Sequence, residues 1–164
     1  MAAAEYLADV RIQFAKLKEQ AENAAVQVTD EHLHHVLDPE SNSIAIIMRH
    51  MAGNLRSRFT DFLTTDGEKP DRNRDGEFEL ERPLGRGEII ADWERGWRAL
   101  FAALDALGPG DLLRDVYIRG ERHSVLQALQ RQLTHHAGHV GQIVLLAKHL
   151  AGPRWRTLSI PRRR

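Results

Sequence analysis

Four stretches of about twenty residues constrain the fold of this chain more than any other feature of its sequence. Within each stretch, apolar side chains recur three and four residues apart, which places them on one face of an α-helix. The stretches cover about residues 4–26, 43–63, 87–107 and 124–151. The chain is therefore predicted to be all-α, with a helix bundle as the leading architecture.

Residues suited to begin or end a helix lie at the borders of these stretches. Ser43 and Ser124 can each accept a backbone N–H bond as a helix N-cap, and Gly152 followed by a proline can end the last stretch. Residues 112–118 carry β-forming side chains, and residues 119–122 can close a short turn behind them. A short hairpin is accordingly predicted before the last helix.

The last predicted helix is apolar around much of its circumference. Ile143, Leu145 and Leu146 widen its apolar face beyond a single stripe. A helix of this kind has more than one neighbour. The additional neighbour is either a second copy of the chain, which would make a homodimer, or another helix of the same subunit.

The segment between residues 64 and 86 has turn-forming and charged residues and almost no apolar ones. It is too long for a simple connection, and loops of this length are usually functional or disordered. Its arginines alternate with aspartates and glutamates, which predicts ion pairs within the loop. Two interpretations stay open: a salt-bridged cover over the helices, or a clamp on a substrate.

The chain has 164 residues with nine histidines and no cysteine. This length suits one domain spanning residues 1–164, with an extended basic tail over residues 153–164. Without cysteine the chain forms neither disulfides nor cysteine–zinc sites. Any metal centre must therefore use nitrogen and oxygen ligands.

The balance of charge bears on the partners of the chain. Lysine plus arginine number 23 and aspartate plus glutamate number 23, whereas nucleic-acid proteins usually carry a basic excess. We expect no nucleic-acid partner, although the basic tail keeps that alternative open. No apolar run reaches the ~18 residues of a membrane span, and the first residues lack the pattern of a signal peptide. A cytoplasmic protein without a membrane partner is expected.

The last predicted helix concentrates the histidines. His135 and His139 are four residues apart, so both imidazoles can reach one metal ion. His136 can replace His135 as the partner of His139, and spacing alone leaves both pairs open. Gln142 lies on the same side of the helix as His139. The order of residues differs from the HExxH protease motif, because no carboxylate on this turn can activate water.

A third ligand has to come from another helix, and His50 is the best candidate. His50, Asn54 and Asp61 form a polar strip beside the apolar face of the second predicted helix. Three imidazoles from His50, His135 and His139 would leave a coordination position open for water or substrate, as in catalytic metal sites. The competing interpretation is that these histidines pack or form ordinary hydrogen bonds.

Three segments of the chain resemble a known family. They are IIMRHMAGNLRSRFTDFLTTDGEKPDRNRDGEFE at residues 46–79, HHAGHVGQIVLLAKHLAG at residues 135–152 and WRTLSIPR at residues 155–162. In this order they resemble the DinB/YfiT-like superfamily, and more narrowly its branch of bacterial proteins known only as a domain of unknown function. The string HxxxHxGQI, which starts at His135, is the most specific mark of the superfamily.

The resemblance implies a fold, an assembly and a metal. It implies an up-down-down-up four-helix bundle, usually a homodimer, that binds a divalent metal, typically zinc or nickel, through three histidines. These ligands correspond to His50, His135 and His139. His136, inside the motif, is not expected to be a ligand.

The resemblance also implies a class of activity. Characterised relatives are metal-dependent transferases or isomerases that act with low-molecular-weight thiols, and others are hydrolases. The implied function is activation of an external thiol, or of water, for transfer to a small electrophile. The alternative is a non-catalytic metal-binding module in stress response or protein interaction.

On this interpretation eight further residues surround the metal. Three on the second helix would support the ligands or orient substrate, four in the long loop would close the mouth of the cleft, and one would lie beside a ligand. They are Asn54, Arg58 and Asp61, then Arg72, Arg74, Asp75 and Glu77, and finally Gln142.

Overall fold

The computed structural model describes residues 2–79 and 82–160, and the described chain is mostly helical. It contains five α-helices and a two-stranded antiparallel sheet. The helices are α1 (Ala2–Ala25), α2 (Asp30–His34), α3 (Ile44–Phe59), α4 (Arg86–Ala106) and α5 (Val125–Ala151), and the strands are β1 (Asp115–Ile118) and β2 (Glu121–Ser124). The four long helices match the four predicted ones, except that α3 ends earlier than predicted.

The predicted caps begin the helices that carry the histidines. The hydroxyl of Ser43 accepts a hydrogen bond from the backbone N–H of Ile46 at 3.3 Å. The hydroxyl of Ser124 accepts one from the N–H of Gln127 at 3.1 Å, and the Gln127 side chain accepts one from the Ser124 N–H at 2.8 Å. Reciprocal bonds of this kind satisfy two N–H groups that a helix end leaves free.

The short helix α2 was not predicted. It lies in the segment that we expected to be an irregular connector, and the Thr29 hydroxyl caps it by accepting the N–H of His32. Leu33 is its buried residue, at 1% exposure. A helix of one turn has too few apolar residues to produce a periodic pattern, and the capping threonine was its only signal.

Helix α3 ends four residues earlier than predicted. Asp61 adopts a left-handed conformation with φ 49°, and its carbonyl accepts the backbone N–H groups of Thr64 and Thr65, each at 3.0 Å. Phe62 nevertheless remains buried. The apolar spacing therefore continued past the end of the helix because the turn that follows also packs on the core.

The predicted hairpin is confirmed. Strands β1 and β2 pair with Ile118 opposite Glu121, and the two residues between them, Arg119 and Gly120, have φ of 55° and 75°. Positive φ at both positions is typical of a two-residue hairpin turn. The carboxylate of Asp66 accepts the N–H groups of Arg119 and Gly120 at 2.9 and 2.8 Å, which attaches the turn to the long loop.

Polar contacts define how the long helices face one another. Arg11 of α1 pairs with Asp105 of α4 at 2.9 Å, and Lys18 pairs with Glu94 at 2.7 Å, so α1 and α4 run in opposite directions. The core between the helices has two tryptophans of α4 at its centre. They are Trp93 and Trp97, and both are fully buried.

Most of the wide apolar face of α5 is buried within one subunit. Ile143 is fully buried and Leu146 is 7% exposed, whereas Leu145 is 66% exposed. Two of the three residues that widened the predicted face thus find their second neighbour in the same chain. This leaves only Leu145 among them to support a homodimer.

Helices α3 and α4 approach most closely at Gly96. A Cβ atom at this position would lie 2.7 Å from the Cα of Ala52 on α3. We expect Gly96→Ala to destabilise the fold by about 1–3 kcal/mol, because only movement of a helix backbone can relieve the overlap. The free energy of unfolding, measured by urea denaturation of metal-free protein, tests this.

A matched substitution is available on α5. A Cβ at Gly138 meets nothing within 4 Å, so Gly138→Ala should raise the stability by about 0.5–1 kcal/mol through helix propensity alone. Equal effects of the two substitutions would contradict the close approach of α3 and α4.

None of the helices in the described part of the chain combines the length and apolar character needed to cross a membrane. The predicted basic tail begins with a single 3₁₀ turn at Gly152–Arg154 and then lacks regular structure up to residue 160. The Arg156 N–H donates to the Gln27 side chain at 2.7 Å, which holds the tail against the end of α1. Residues 161–164 of the predicted tail lie outside the described residues.

Candidate metal centre

Helices α3 and α5 bring three histidines together. One ring nitrogen from each of His50, His135 and His139 lies within 4.8 Å of the other two. The imidazole centroid of His50 is 5.5 Å from that of His135 and 5.1 Å from that of His139. His135 and His139 lie one turn apart on α5 and meet edge to face, with their Nε2 atoms separated by 3.0 Å. These three residues could hold a metal ion.

Hydrogen bonds at the other ring nitrogens determine which atoms can bind a metal. The Nδ1–H of His50 donates to Glu77 Oε2 at 2.9 Å, and the Nδ1–H of His139 donates to Gln142 Oε1 at 2.8 Å. In a neutral imidazole with its proton on Nδ1, Nε2 carries a free lone pair. The Nε2 atoms of both residues are therefore available as ligands, and their rings are held in place from behind.

The surroundings keep His135 and His139 neutral. Burial, together with the nearby His139 and His50 rings, lowers the pKa of His135 to about 4. Burial also lowers the pKa of His139 below its usual value, although its hydrogen bond with Gln142 opposes the shift. Metal binding requires neutral imidazole, so both residues are in the competent form at neutral pH without losing a proton.

Glu77 lies under the cluster, not at the mouth of a cleft where it was predicted. It belongs to a 3₁₀ turn at Asp75–Glu77 in the long loop and is 6% exposed. Burial alone would raise its pKa, but the hydrogen bonds from His50 and Arg72 outweigh that effect and lower the pKa of the carboxyl. The buried carboxylate thus stays ionised and orients His50.

Arg72 binds the Glu77 carboxylate, and Gly53 leaves room for it. Arg72 donates from Nε to Oε1 and from Nη2 to Oε2 of Glu77, each at 2.8 Å, so the pair is bidentate. Gly53 of α3 leaves the space that Glu77 fills, because a Cβ there would overlap Glu77 Oε1. Arg72 was also predicted at the cleft mouth, and its side chain is only 5% exposed.

His136 belongs to a different, fully buried network. The side-chain N–H groups of Gln132 donate to His136 Nδ1 at 2.7 Å and to Asn54 Oδ1 at 2.8 Å. The His136 ring also meets Trp97 edge to face. The structure therefore places His136 in the core between α3, α4 and α5. It lies outside the cluster of His50, His135 and His139.

Gln132 was not predicted to belong to the site. The available signal was its position one turn before His136, where a buried histidine needs a polar partner on the same face. Asn54 was predicted to support the ligands or a substrate. In the structure its side-chain carbonyl oxygen accepts a hydrogen bond from the Gln132 side chain. Its role in the structure is to join α3 to α5 directly beside the cluster.

Asp61 and Asp75 do not join the site. Asp61 lies beyond the end of α3 and is exposed, so the predicted strip contains only its first two members, His50 and Asn54. The Asp75 side chain is 88% exposed and contacts Arg74 at 3.3 Å. Arg74 does line the site, because it belongs to the wall of a cavity beside the cluster.

A cavity of about 220 Å³ opens beside the cluster. It is bounded by α3, the long loop, the hairpin turn and α5. Its walls are polar, and the lining contains no acidic side chain within residues 2–79 and 82–160. The lining residues are His50, Asn54, Arg58, Arg72, Arg74, Arg119, Arg131, Gln132 and His135. Two of the three clustered histidines thus face a space that a small molecule can enter.

Residues 64–79 of the long loop cover one side of this cavity and are held by hydrogen bonds. The Ser57 hydroxyl of α3 donates to the carbonyl of Gly67 at 3.0 Å and accepts the N–H of Lys69 at 2.9 Å. Arg72 contacts Glu68 at 3.3 Å in addition to Glu77. This agrees with the interpretation of the loop as a salt-bridged cover, and its arginines also reach the cavity.

Comparison with known proteins identifies a family without assigning an activity. A family model described as "Protein of unknown function (DUF1572)" matches residues 1–164. No curated protein and no solved structure matches the chain. What the site does must therefore be argued from its own chemistry.

Proposed function

The chain belongs to the DUF1572 family, whose members are proteins of unknown function, and we propose that it is a metal-dependent enzyme. In this proposal His50, His135 and His139 bind one divalent ion. When bound, such an ion would supply the positive charge that activates an external low-molecular-weight thiol for transfer to a small electrophile. Zinc or nickel is the metal that the resemblance to the DinB/YfiT-like superfamily implies, and imidazole nitrogen suits both.

One observation carries the proposal: the three-histidine cluster has an open side, and that side faces a cavity. Three protein ligands plus a free position are typical of catalytic zinc sites, whereas structural sites are filled by four protein ligands. Within the described residues, no fourth histidine or carboxylate joins the cluster. The carboxylate nearest to it, Glu77, is already engaged by His50 and Arg72.

The composition of the cavity favours a thiol over water as the activated group. A bound divalent ion would supply positive charge that lowers the pKa of a thiol from its ordinary value of about 8.5. The described lining has no carboxylate to take a proton from water. A thiol loses its proton more readily than water does, and the arginines of the cavity wall would stabilise the resulting thiolate. The thiol would release its proton to solvent, and its sulfur would then bond to the electrophilic carbon as the leaving group departs with its electron pair.

A spectroscopic and kinetic experiment tests this function. The protein is loaded with Co²⁺, a visible probe for zinc sites, and titrated with a small thiol such as 2-mercaptoethanol. We expect the visible spectrum to change saturably, because the thiol enters the open position. We also expect faster consumption of an activated aryl halide in the presence of thiol and metal than with either alone.

Chelator-treated protein serves as the control, since it retains the cavity but lacks the ion. A visible spectrum that the thiol leaves unchanged would indicate a closed site and contradict the proposal. Binding of the thiol without any consumption of electrophile would favour the non-catalytic binding module in its place.

We also infer that the family belongs with the DinB/YfiT-like proteins and shares their up-down-down-up bundle. Helices α1 and α4 run antiparallel, and so do α3 and α5, because His50 lies near His139 whereas Asn54 contacts Gln132. Both pairs support this order of helices. Tyr6 of α1 and Gln130 of α5 meet at 3.0 Å near the beginnings of their helices, as expected if α1 and α5 run in the same direction. One domain over residues 1–164 and a homodimer complete this proposal, and sedimentation equilibrium tests the dimer.

A further inference from the structure

The cavity beside the histidine cluster is lined by more positive charge than its own ion pairs neutralise. Five arginines line it, and they come from α3, the long loop, the hairpin turn and α5. Three of the five have carboxylate partners in the loop. The pairs are Arg72 with Glu77 and Glu68, Arg74 with Asp75, and Arg119 with Glu68.

The other two arginines, Arg58 and Arg131, lack a carboxylate partner among residues 2–79 and 82–160. Arg131 lies at the rim, where its Nη1 contacts His123 Nε2 at 3.2 Å. Because three carboxylates pair with three guanidinium groups, the cavity retains about two uncompensated positive charges. A cavity of one sign of charge concentrates ligands of the opposite sign.

Arg58 gives a second and independent indication. The residue is 6% exposed, and its buried Nε–H has no hydrogen-bond partner in the described part of the chain. Burial and the neighbouring Arg131 lower its pKa to about 10. Buried charged donors are almost always satisfied, so an orphaned one in the wall of a cavity points to an acceptor that arrives with a ligand.

The spacing along both helices connects this charge to the histidines. His50, Asn54 and Arg58 follow one another at four-residue steps on α3, and Arg131 and His135 do so on α5. Side chains four residues apart lie on the same face of a helix. A small molecule bound at Arg58 and Arg131 would therefore extend along one groove toward the cluster.

We propose that the cavity binds a doubly charged oxygen anion, either a phosphate group or a pair of carboxylates. Guanidinium groups match such anions through paired hydrogen bonds, and two unpaired arginines match two negative charges. The further assignment, that this anion is part of the substrate on which the metal centre acts, rests on the function proposed above.

Isothermal titration calorimetry on chelator-treated protein at low ionic strength tests the anion site. Inorganic phosphate and malonate are titrated separately, and we expect saturable binding of at least one of them. Arg58→Gln should weaken that binding about 10- to 100-fold, since it removes a hydrogen-bonded charge. Arg98→Gln, at an exposed position on α4 outside the cavity, should leave it unchanged.

Arg131→Gln is the second variant, because this exposed side chain can be changed without disturbing the core, and it should weaken the same binding. Tighter binding of phosphate would support a phosphate ester as ligand, and tighter binding of malonate a dicarboxylate. Absence of saturable binding by the unmodified chain would overturn the proposal, as would equal affinity in Arg58→Gln, Arg131→Gln and Arg98→Gln. The protein is metal-free throughout, so failure of the metal centre would not alter these results.

Discussion

Replacing His139 with alanine is expected to abolish stoichiometric binding of zinc or nickel. The substitution removes one of three ligand atoms that lie within 4.8 Å of one another. Loss of a partner that only orients a ligand costs about 10- to 100-fold in metal affinity, and loss of the ligand itself should cost more. Equilibrium dialysis followed by elemental analysis measures the ions bound per chain.

The same variant should lose the stabilisation that metal confers. At a free ion concentration 100 times its Kd, the unmodified chain gains about 2.7 kcal/mol in its free energy of unfolding. His139→Ala should gain almost nothing at that concentration. Because the fold itself is also affected by any change in α5, the comparison is made between metal-loaded and chelator-treated samples of each variant.

His149→Ala is the matched control for this prediction. His149 lies on the same helix, is exposed and does not belong to the cluster. It should bind metal as the unmodified chain does. Retention of one ion per chain by His139→Ala, or its loss in His149→Ala, would remove the basis for the proposed centre.

Replacing Glu77 with glutamine is expected to damage both the fold and the metal centre. The neutral side chain leaves the buried Arg72 without its bidentate partner, and breaking a buried ion pair typically costs about 3–5 kcal/mol. It also removes the charged acceptor of the His50 Nδ1–H, so the affinity for metal should fall about 10- to 100-fold. Urea denaturation and metal titration measure the two effects separately.

The contribution of Glu77 should depend on pH in a defined direction. Its pKa in the folded state lies below the ordinary value of 4.5, so its stabilisation is fully present above that pH. As the pH falls through the lower folded-state value, the carboxylate is protonated and the stabilisation is lost. The difference in unfolding free energy between the unmodified chain and Glu77→Gln should therefore be constant above pH 4.5 and shrink below it.

Glu79→Gln provides the control within the same loop. Glu79 is exposed, and surface substitutions usually change stability by less than about 0.5 kcal/mol. If Glu77→Gln were as stable as Glu79→Gln, the carboxylate would not be supporting Arg72 and His50 as the structure indicates.

The parts of the site that depend on one helix were predictable from the sequence. His135 and His139 lie one turn apart by the geometry of any α-helix, and the apolar stripe of α3 was sufficient to place His50 beside it. Periodicity could not distinguish His135 from His136, because that choice depends on which neighbouring helix each ring faces. The structure places His136 toward Trp97 and Gln132, in the core.

The role of Glu77 could not be predicted from its neighbours in sequence, for a different physical reason. It sits in a single 3₁₀ turn inside an irregular loop, where no periodicity relates one side chain to another. Its position depends on a cavity left by Gly53 and on a charge supplied by Arg72. Asp61 illustrates the converse error, since extending the helix past Phe59 placed its carboxylate on a strip that in the structure contains only His50 and Asn54.

The attachment of the loop to the hairpin has a consequence for the order in which the chain folds. Asp66 holds the hairpin turn, Ser57 holds the beginning of the loop, and Glu77 reaches back to His50. The bonds of Asp66 and Glu77 join residues 53 and 27 positions apart, and the cluster itself needs His135 and His139 of α5. Such contacts close late in folding because loop closure costs entropy before any contact forms. The metal centre should therefore assemble only after α5 docks, so that uptake of an ion reports a completed fold.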